Sequence, residues 1–317
     1  MYNKRNKRIM KVKTYKSVFL KMNILALSLT SLLCLDIQGY KTVTIFKIFQ
    51  SRSNSVYMQS SNIKTKEIKS NILIPNILVG SNIIKSAEEY AVDANEVKQM
   101  VENQYAGQEK TVFLTFDDGP SPNTKYILDI LKEKGVHATF FIKGDMLNNT
   151  SAQEYLKRTI NEGHAIGNHS YTHSLRQLYP NNKLDIDTFM KEFDKTNNIL
   201  KEILGSEFNC KILRMPGGYM SRKYYNDPNL PNFNNILNER GIISIDWNSM
   251  NGDSEGKDYS VQQLIDNVKN GTEGYEQSIL LMHDTYGKES TVESLPYIID
   301  NFKENGFSFK VIKSTIF

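Results

Sequence analysis

The chain of 317 residues contains only two cysteines, Cys34 and Cys210, and only five histidines. Two cysteines cannot build a disulfide framework, so the class of small disulfide-stabilised scaffolds is excluded. The fold must therefore depend on a buried apolar core, and a chain of this length can bury one as a single large domain or as two small ones. Because the histidines are so few, their clustering is informative.

The first 21 residues contain no acidic residue but eight Lys or Arg. Subtracting these eight from 39 basic residues leaves 31, against 35 acidic ones. The net charge of +4 therefore belongs to the N-terminal segment, and the remainder of the chain is mildly acidic. This distribution gives no reason to expect a nucleic-acid partner.

No long uninterrupted apolar run follows the basic segment. Residues 22–35 are mostly apolar but are diluted by polar side chains, which fits a secretory signal better than a full membrane span. The bulky residues around Cys34 leave no clear cleavage or lipid-attachment site, so an uncleaved signal anchor and a buried N-terminal helix both stay open. We expect export to the cell surface or the extracellular space, with contact to a membrane only through this segment.

The pattern changes twice along the chain. Residues 51–69 are rich in Ser, Asn and Lys, which is typical of a tether, and residues 86–105 have helical character. Regular alternation begins only at Glu109. We therefore expect a basic N-terminus with a signal peptide or anchor over 1–35, a linker with one possible helix over 36–108, and the main folded domain over 109–317.

From residue 109 onward, apolar strand-like segments alternate with segments of helical period. The predicted strands cover residues 111–116, 137–142, 164–167, 211–214, 241–247, 278–283 and 307–312. The predicted helices cover residues 123–134, 152–162, 187–204, 261–269 and 292–304. Seven strands alternating with helices predict an α/β fold with a parallel, barrel-like sheet.

Polar side chains that could act as metal ligands, acids or bases follow these strands at their carboxyl ends. In chain order they are Asp117, Asp118, His169, His173, Arg214, Asp246, Asp253 and His283. Parallel barrels carry their chemistry on the loops at that end, so all of these residues are expected on one rim. The other two histidines, His137 and His164, lie near strand beginnings and are interpreted as structural.

The adjacent carboxylates of Asp117 and Asp118 raise each other's pKa unless a cation or another partner relieves the repulsion. A bound cation would let one of them act as a ligand while the other stays ionised as a base; the alternative is a solvated loop. His169 and His173 would share a face on a helical turn. Two imidazoles and one carboxylate leave an open coordination position, which is typical of a catalytic zinc site.

Four motifs carry a resemblance to a known family. They are Thr-Phe-Asp-Asp-Gly-Pro at 115–120, His-Ser-Tyr-Thr-His at 169–173, Arg-Met-Pro-Gly-Gly at 214–218 and Leu-Met-His at 281–283. In this order and spacing they resemble the polysaccharide deacetylases of carbohydrate esterase family 4, the NodB-homology domain, over residues 109–317. The resemblance implies a distorted (β/α)7 barrel that removes N- or O-acetyl groups from polysaccharides with a divalent metal, Zn²⁺ or another transition metal such as Co²⁺.

The resemblance also implies a role for the residues of the first two motifs. Asp118, His169 and His173 would hold the metal. Asp117 would be the general base that takes a proton from the attacking water.

The later motifs would complete the machinery. Arg214 would pair with the base and aim it, and His283 would be the general acid. Gly217 would offer its backbone N–H to the oxyanion. Leu281 would line the pocket for the acetyl methyl group, although as a strand residue it could equally belong to the core.

Two departures from the family pattern affect these assignments. Many relatives carry Tyr where this chain has Gly217, so a side-chain wall is lost while the backbone donor survives. The fourth motif, usually Asp-x-x-Asp-Trp, fits in two registers: we prefer Asp253 as the carboxylate that orients His283, with Asp246 as the alternative. Trp247 is either a core residue or a platform for a sugar ring.

The predicted function is the hydrolysis of N-acetyl groups on GlcNAc or MurNAc of peptidoglycan, with release of acetate. Chitooligosaccharide and O-acetyl-xylan remain alternative substrates. A catalytically silent glycan-binding wall protein and another metal hydrolase on a barrel are alternatives of a different class. The expected partner is a polysaccharide, and we expect the protein to be a monomer.

Overall fold

The computed structural model of the chain describes residues 76–102 and 109–314. The strands are β1 (Ala91–Asp93), β2 (Thr111–Asp117), β3 (Thr139–Ile142), β4 (Ala165–Asn168), β5 (Ile212–Leu213), β6 (Ile243–Ser244), β7 (Ser249–Met250), β8 (Gln277–His283), β9 (Ser308–Phe309) and β10 (Val311–Lys313). The α-helices are α1 (Ala94–Val101), α2 (Pro122–Lys134), α3 (Thr150–Asn161), α4 (Leu175–Leu178), α5 (Ile186–Leu204), α6 (Tyr219–Tyr224), α7 (Leu230–Glu239), α8 (Val261–Gly271) and α9 (Glu289–Glu304). Short 3₁₀ helices cover Lys85–Tyr90, Gly144–Asn148 and Pro180–Asn182.

The main sheet is parallel, with the strand order β6-β5-β4-β3-β2-β8-β7. β6 and β7 are the two ends of this order, yet only residues 245–248 separate them along the chain. An extended chain advances at most about 3.6 Å per residue, so this link cannot bridge the edges of a flat sheet of seven strands. The sheet therefore curls into a distorted barrel.

The central strand β2 is buried along its whole length. Alternate residues of a strand share a face, so Thr115 and Asp117 lie on one side of β2. The parallel register pairs these two residues with Leu281 and His283 of β8. The fold thereby brings the carboxyl ends of β2 and β8 side by side, on the one rim where the sequence pattern places their polar residues.

Helix α2 shows how the helices are fixed to this sheet. Its N-terminus is closed by a capping box in which Ser121 and Thr124 satisfy each other's backbone N–H, and its C-terminus ends at Gly135 in the left-handed conformation. Ile127 and Leu131 are fully buried in the main core. The helix therefore holds the loop after β2 in place at its first turn.

Residues 76–102 pack against the same core. Ile77, Val97 and Met100 belong to the main apolar cluster, and β1 pairs in parallel with β10. These residues precede Glu109, where the sequence pattern places the start of the catalytic domain. The predicted signal at 1–35 and the rest of the predicted linker, residues 36–75 and 103–108, lie outside the described residues. Within the described part of the chain, no helix combines the length and apolar composition needed to cross a membrane.

Some elements differ from the sequence prediction. Helices α6 and α7 were not predicted, although Leu230, Phe233 and Leu237 are buried at spacings of three and four residues and signal a helix; intervening asparagines weaken that pattern. Of the strand predicted over 241–247, only the two residues of β6 are in a strand, because the chain then continues to β7, which pairs with β8 at the other end of the strand order. The strand predicted over 307–312 is two strands, since β9 pairs with β2 and β10 with β1.

Candidate active site

Three potential metal ligands converge at the carboxyl ends of β2 and β4. Asp118 directly follows β2, His169 directly follows β4, and His173 lies four residues further on. The Nε2 atoms of both imidazoles lie 3.7 Å from Asp118 Oδ1. One ligand atom from each of the three residues falls within 4.8 Å of the others, so the predicted ligand set is assembled.

The two histidines reach this point from a loop, not from a helical turn. Ser170 and His173 both adopt positive φ angles, 63° and 57°, which interrupts any helix. Asn168 Oδ1 accepts from the Ser170 N–H, and Ser170 Oγ accepts from the His173 N–H. The expectation that an i, i+4 helical spacing aligns the imidazoles was therefore wrong, and the loop's own hydrogen bonds do so instead.

The donor set fits a divalent cation. Among the described residues, the buried Asp118 Oδ1 has no hydrogen-bond partner. His169 Nδ1 lies 2.7 Å from the Arg214 carbonyl oxygen, which can only accept, so Nδ1 carries the proton and the Nε2 lone pair faces Asp118. Ligand atoms around tetrahedral zinc lie about 3.4 Å apart, close to the 3.7 Å that separates Asp118 Oδ1 from each imidazole Nε2.

Asp117 is held by a buried arginine. Arg214 is fully buried and donates from Nη1 to Asp117 Oδ1 at 3.0 Å and to Thr115 Oγ1 at 2.7 Å. Its Nε and Nη2 donate to the carbonyl oxygens of Ile245 and Asp246. With these contacts the guanidinium is fixed in place, and the carboxylate of Asp117 is aimed towards His169, whose Nε2 lies 3.6 Å from Asp117 Oδ2.

His283 at the end of β8 is paired with Asp253. Its Nδ1 lies 2.7 Å from Asp253 Oδ1, and its backbone N–H donates to Asp253 Oδ2 at 2.9 Å. Thr291 Oγ1 also donates to this carboxylate. Asp246, the alternative partner, instead accepts from the backbone N–H groups of Tyr219 and Met220 at the start of α6.

The electrostatics of these groups follow from their neighbours. Burial alone raises the pKa of Asp118, but the nearby imidazoles and the Lys143 ammonium outweigh burial and hold that pKa below its usual value. Burial lowers the pKa of His283, but the hydrogen bond and charge of Asp253 outweigh it and raise the pKa above the ordinary value. The same pairing lowers the pKa of Asp253. His283 is therefore biased towards the protonated form.

The remaining predicted residues surround this centre. Leu281 is buried, stands on the same face of β8 as His283, and lies outside the main apolar cluster. Gly217 and Gly218 both have positive φ angles, and a Cβ on Gly218 would lie 3.0 Å from the Trp247 ring. Trp247 is half-buried and packs between this loop and Arg214.

Two further polar residues at the site were not assigned a role from the sequence. Thr115 receives the hydrogen bond from Arg214 and donates to the Leu280 carbonyl. Asp284 is fully buried and accepts from Ser121 Oγ and Thr124 Oγ1, which ties β8 to the loop after β2. Burial raises the pKa of Asp284 to about 7 although both hydroxyls oppose the shift. Its position next to His283 was the available signal.

A curled parallel α/β sheet with a carboxylate and two imidazoles at its strand ends is the arrangement of a barrel hydrolase that activates water at a bound cation. Known proteins with a similar sequence and fold identify the family. Residues 104–232 match the family model of polysaccharide deacetylases. A carbohydrate esterase family 4 esterase of Streptococcus mutans is 36% identical with a TM-score of 0.68, over 75% of this chain and 99% of that one.

Curated relatives agree. The peptidoglycan-N-acetylglucosamine deacetylase of Bacillus cereus is 31% identical over 227 residues, which cover 68% of this chain and 74% of that protein. The peptidoglycan-N-acetylmuramic acid deacetylase PdaA of Bacillus subtilis is 28% identical over 251 residues, covering 77% and 88%. The chain belongs to the polysaccharide deacetylase family. The predicted NodB-type (β/α)7 fold is confirmed, and the protein is a deacetylase, a hydrolase.

Proposed function

We propose that this protein removes N-acetyl groups from GlcNAc or MurNAc in the glycan strands of peptidoglycan. The observation that carries the proposal is the convergence of Asp118, His169 and His173 beside the buried Asp117–Arg214 pair. This substrate class is supported by two relatives, one named as a deacetylase of N-acetylglucosamine and the other of N-acetylmuramic acid in peptidoglycan.

Asp118, His169 and His173 would hold a divalent cation, with Zn²⁺ as the expected metal. When bound, such an ion polarises the acetyl carbonyl and lowers the pKa of a water in its open coordination position. The protonated Nδ1 of His169 leaves its Nε2 free for this ligation. Asp118 Oδ1, which has no hydrogen-bond partner in the described part of the chain, would gain the ion as its partner.

Asp117 takes a proton from the attacking water. Arg214 compensates the charge of this buried carboxylate and directs it, and breaking the pair would leave an uncompensated charge in the interior. As the water oxygen adds to the acetyl carbon, the carbonyl oxygen gains negative charge. The backbone N–H of Gly217 is the proposed donor to that oxygen.

His283 completes the hydrolysis. The proton on its Nε2 passes to the amide nitrogen as the C–N bond breaks, which releases acetate and a free sugar amine, while Asp253 holds Nδ1 of the same ring. Leu281 offers an apolar surface beside His283 for the acetyl methyl group. Trp247 is the proposed contact for a sugar ring, because it adjoins the Gly217–Gly218 loop.

A substrate in the cell wall requires export. We propose that the basic N-terminal segment and residues 22–35 direct the protein across the membrane, either as a signal peptide or as an anchor. The eight basic residues before the apolar segment, without any acidic residue, support this location.

Mass spectrometry of glycan fragments tests the substrate. Purified peptidoglycan is incubated with the protein, digested to muropeptides and compared with an untreated sample. A loss of about 42 mass units per site, with a new free amine on GlcNAc or MurNAc, is expected from acetyl hydrolysis. An unchanged peptidoglycan together with deacetylated chitooligosaccharide or xylan would overturn the proposed substrate.

A further inference from the structure

The loop between the two histidines is bound by an acidic residue of helix α5. Glu192 of α5 is buried, and its Oε2 accepts from the backbone N–H groups of Tyr171 and Thr172 at 3.1 and 2.9 Å. Its Oε1 accepts from Thr172 Oγ1 at 2.6 Å. One side chain thus receives three hydrogen bonds from the residues that link His169 to His173.

The loop forms a concave site for this carboxylate. Ser170 has a positive φ of 63°, and the successive N–H groups after such a residue can converge on one point, where they favour an anion. In the described part of the chain, no Lys or Arg nitrogen lies within ion-pair distance of Glu192. Its charge is therefore compensated by the loop itself, in charge-assisted hydrogen bonds.

Helix α5 is in turn fixed to the strand that leads into the loop. Thr196 Oγ1 donates to the Ser170 carbonyl at 2.9 Å. Asn168 Nδ2, at the end of β4, donates to the Phe193 carbonyl and to Asn197 Oδ1, both at 3.0 Å. Glu192 consequently acts from a rigid support, and the left-handed conformation of Ser170 is held from both sides.

We infer that Glu192 is a positioning residue for the metal site: its carboxylate holds the 169–173 loop in the one conformation that directs both imidazoles towards Asp118. The inference rests on the proposed function, because it presumes that these three residues bind a cation. Residues that orient metal ligands from outside the coordination sphere typically contribute a factor of about 10 to 100 in metal affinity.

The test compares Zn²⁺ affinity, measured by competition with a chromophoric chelator, in the wild type and three variants of the full chain. Glu192→Ala removes all three acceptor interactions. Glu192→Gln keeps a neutral acceptor for the backbone N–H groups. Asp194→Ala is the matched control, since Asp194 lies two residues away on the same helix and pairs with Arg240, not with the loop. Thermal unfolding of the metal-free proteins reports any general destabilisation.

The expected result is Zn²⁺ binding about 10- to 100-fold weaker in Glu192→Ala, with Asp194→Ala unchanged. Glu192→Gln should lie between them, at least about 3-fold weaker than wild type, because a neutral acceptor bonds more weakly than a carboxylate. If Glu192→Ala does not fold, Glu192→Gln decides. Affinity within about 2-fold of wild type in the folded Glu192 variants would overturn the inference alone. A wild type that binds no metal would instead overturn the proposed function.

Discussion

Asp253 contacts His283 through both of its carboxylate oxygens, one at the ring Nδ1 and one at the backbone N–H. The pairing fixes the ring by two points and leaves Nε2 as the nitrogen that can face a substrate. It also raises the pKa of His283, since the adjacent negative charge favours the imidazolium. Both effects suit the general-acid role proposed for His283, which requires a protonated imidazole at neutral pH.

Asp253→Asn should move the alkaline limb of the pH–rate profile. In the proposed mechanism deacetylation requires protonated His283, so activity should fall as pH rises through the pKa of that imidazole. Without the carboxylate charge the pKa of His283 drops, and the limb should shift to lower pH by about one unit or more, with a lower maximal rate. The measurement is kcat/KM for acetate release from pH 5 to 10.

Asp246→Asn serves as the control for this shift, because Asp246 caps helix α6 and does not touch His283. Its alkaline limb should stay at the wild-type position. A shift in Asp246→Asn with none in Asp253→Asn would show that the wrong carboxylate has been assigned to His283.

Arg214→Met should destabilise the metal-free protein by about 3–5 kcal/mol, since it leaves the buried Asp117 without its counter-charge. The double variant Arg214→Met/Asp117→Asn removes that charge as well and should recover part of the lost stability. Urea unfolding at pH 7 in the presence of a chelator measures both free energies. A double variant no more stable than Arg214→Met would contradict a coupled pair.

His164, at the other end of the barrel, should make the protein sensitive to acid. Its Nδ1 accepts from the Ala138 N–H, and burial lowers its pKa to about 3. The unfolded chain, with an ordinary pKa of about 6.5, binds the extra proton first, so stability is full above that pH and falls as pH drops towards 3. Between pH 7 and 5 the loss from this residue should be about 2 kcal/mol.

His164→Asn keeps an acceptor for the Ala138 N–H but cannot be protonated in this range. Urea unfolding of the metal-free wild type and variant at pH 7 and 5 isolates the contribution of His164. The variant should lose less stability than wild type on acidification. Equal losses would show that His164 titrates normally in the folded protein.

Much of the site was predictable because the carboxyl ends of parallel strands meet at one rim. Asp118, His169 and His173 each follow a strand, so the chain order of strands was enough to bring them together. The register at β7 explains why Asp253, and not Asp246, contacts His283. Ser249 and Met250 pair with Leu280 and Leu281 of β8. That pairing directs the following residues, and hence Asp253, towards His283.

Other features could not be predicted because their partners are remote in the sequence. Glu192 meets its loop only through the packing of α5 against β4, and neither residue type nor spacing marks it among the acids of that helix. The left-handed conformations of Ser170 and His173 depend on hydrogen bonds within the loop and from α5, so a helical spacing suggested the wrong local geometry. Asp284 had a signal in its position beside His283, but its hydroxyl partners lie on α2 and the loop before it.

The most direct test of the central claim is acetate release from peptidoglycan before and after removal of the metal. We expect that dialysis against a chelator abolishes release, that one equivalent of Zn²⁺ restores it, and that Zn²⁺ restores nothing in His169→Ala. Undiminished acetate release by protein shown to be metal-free would contradict the assignment of Asp118, His169 and His173 as a catalytic metal site.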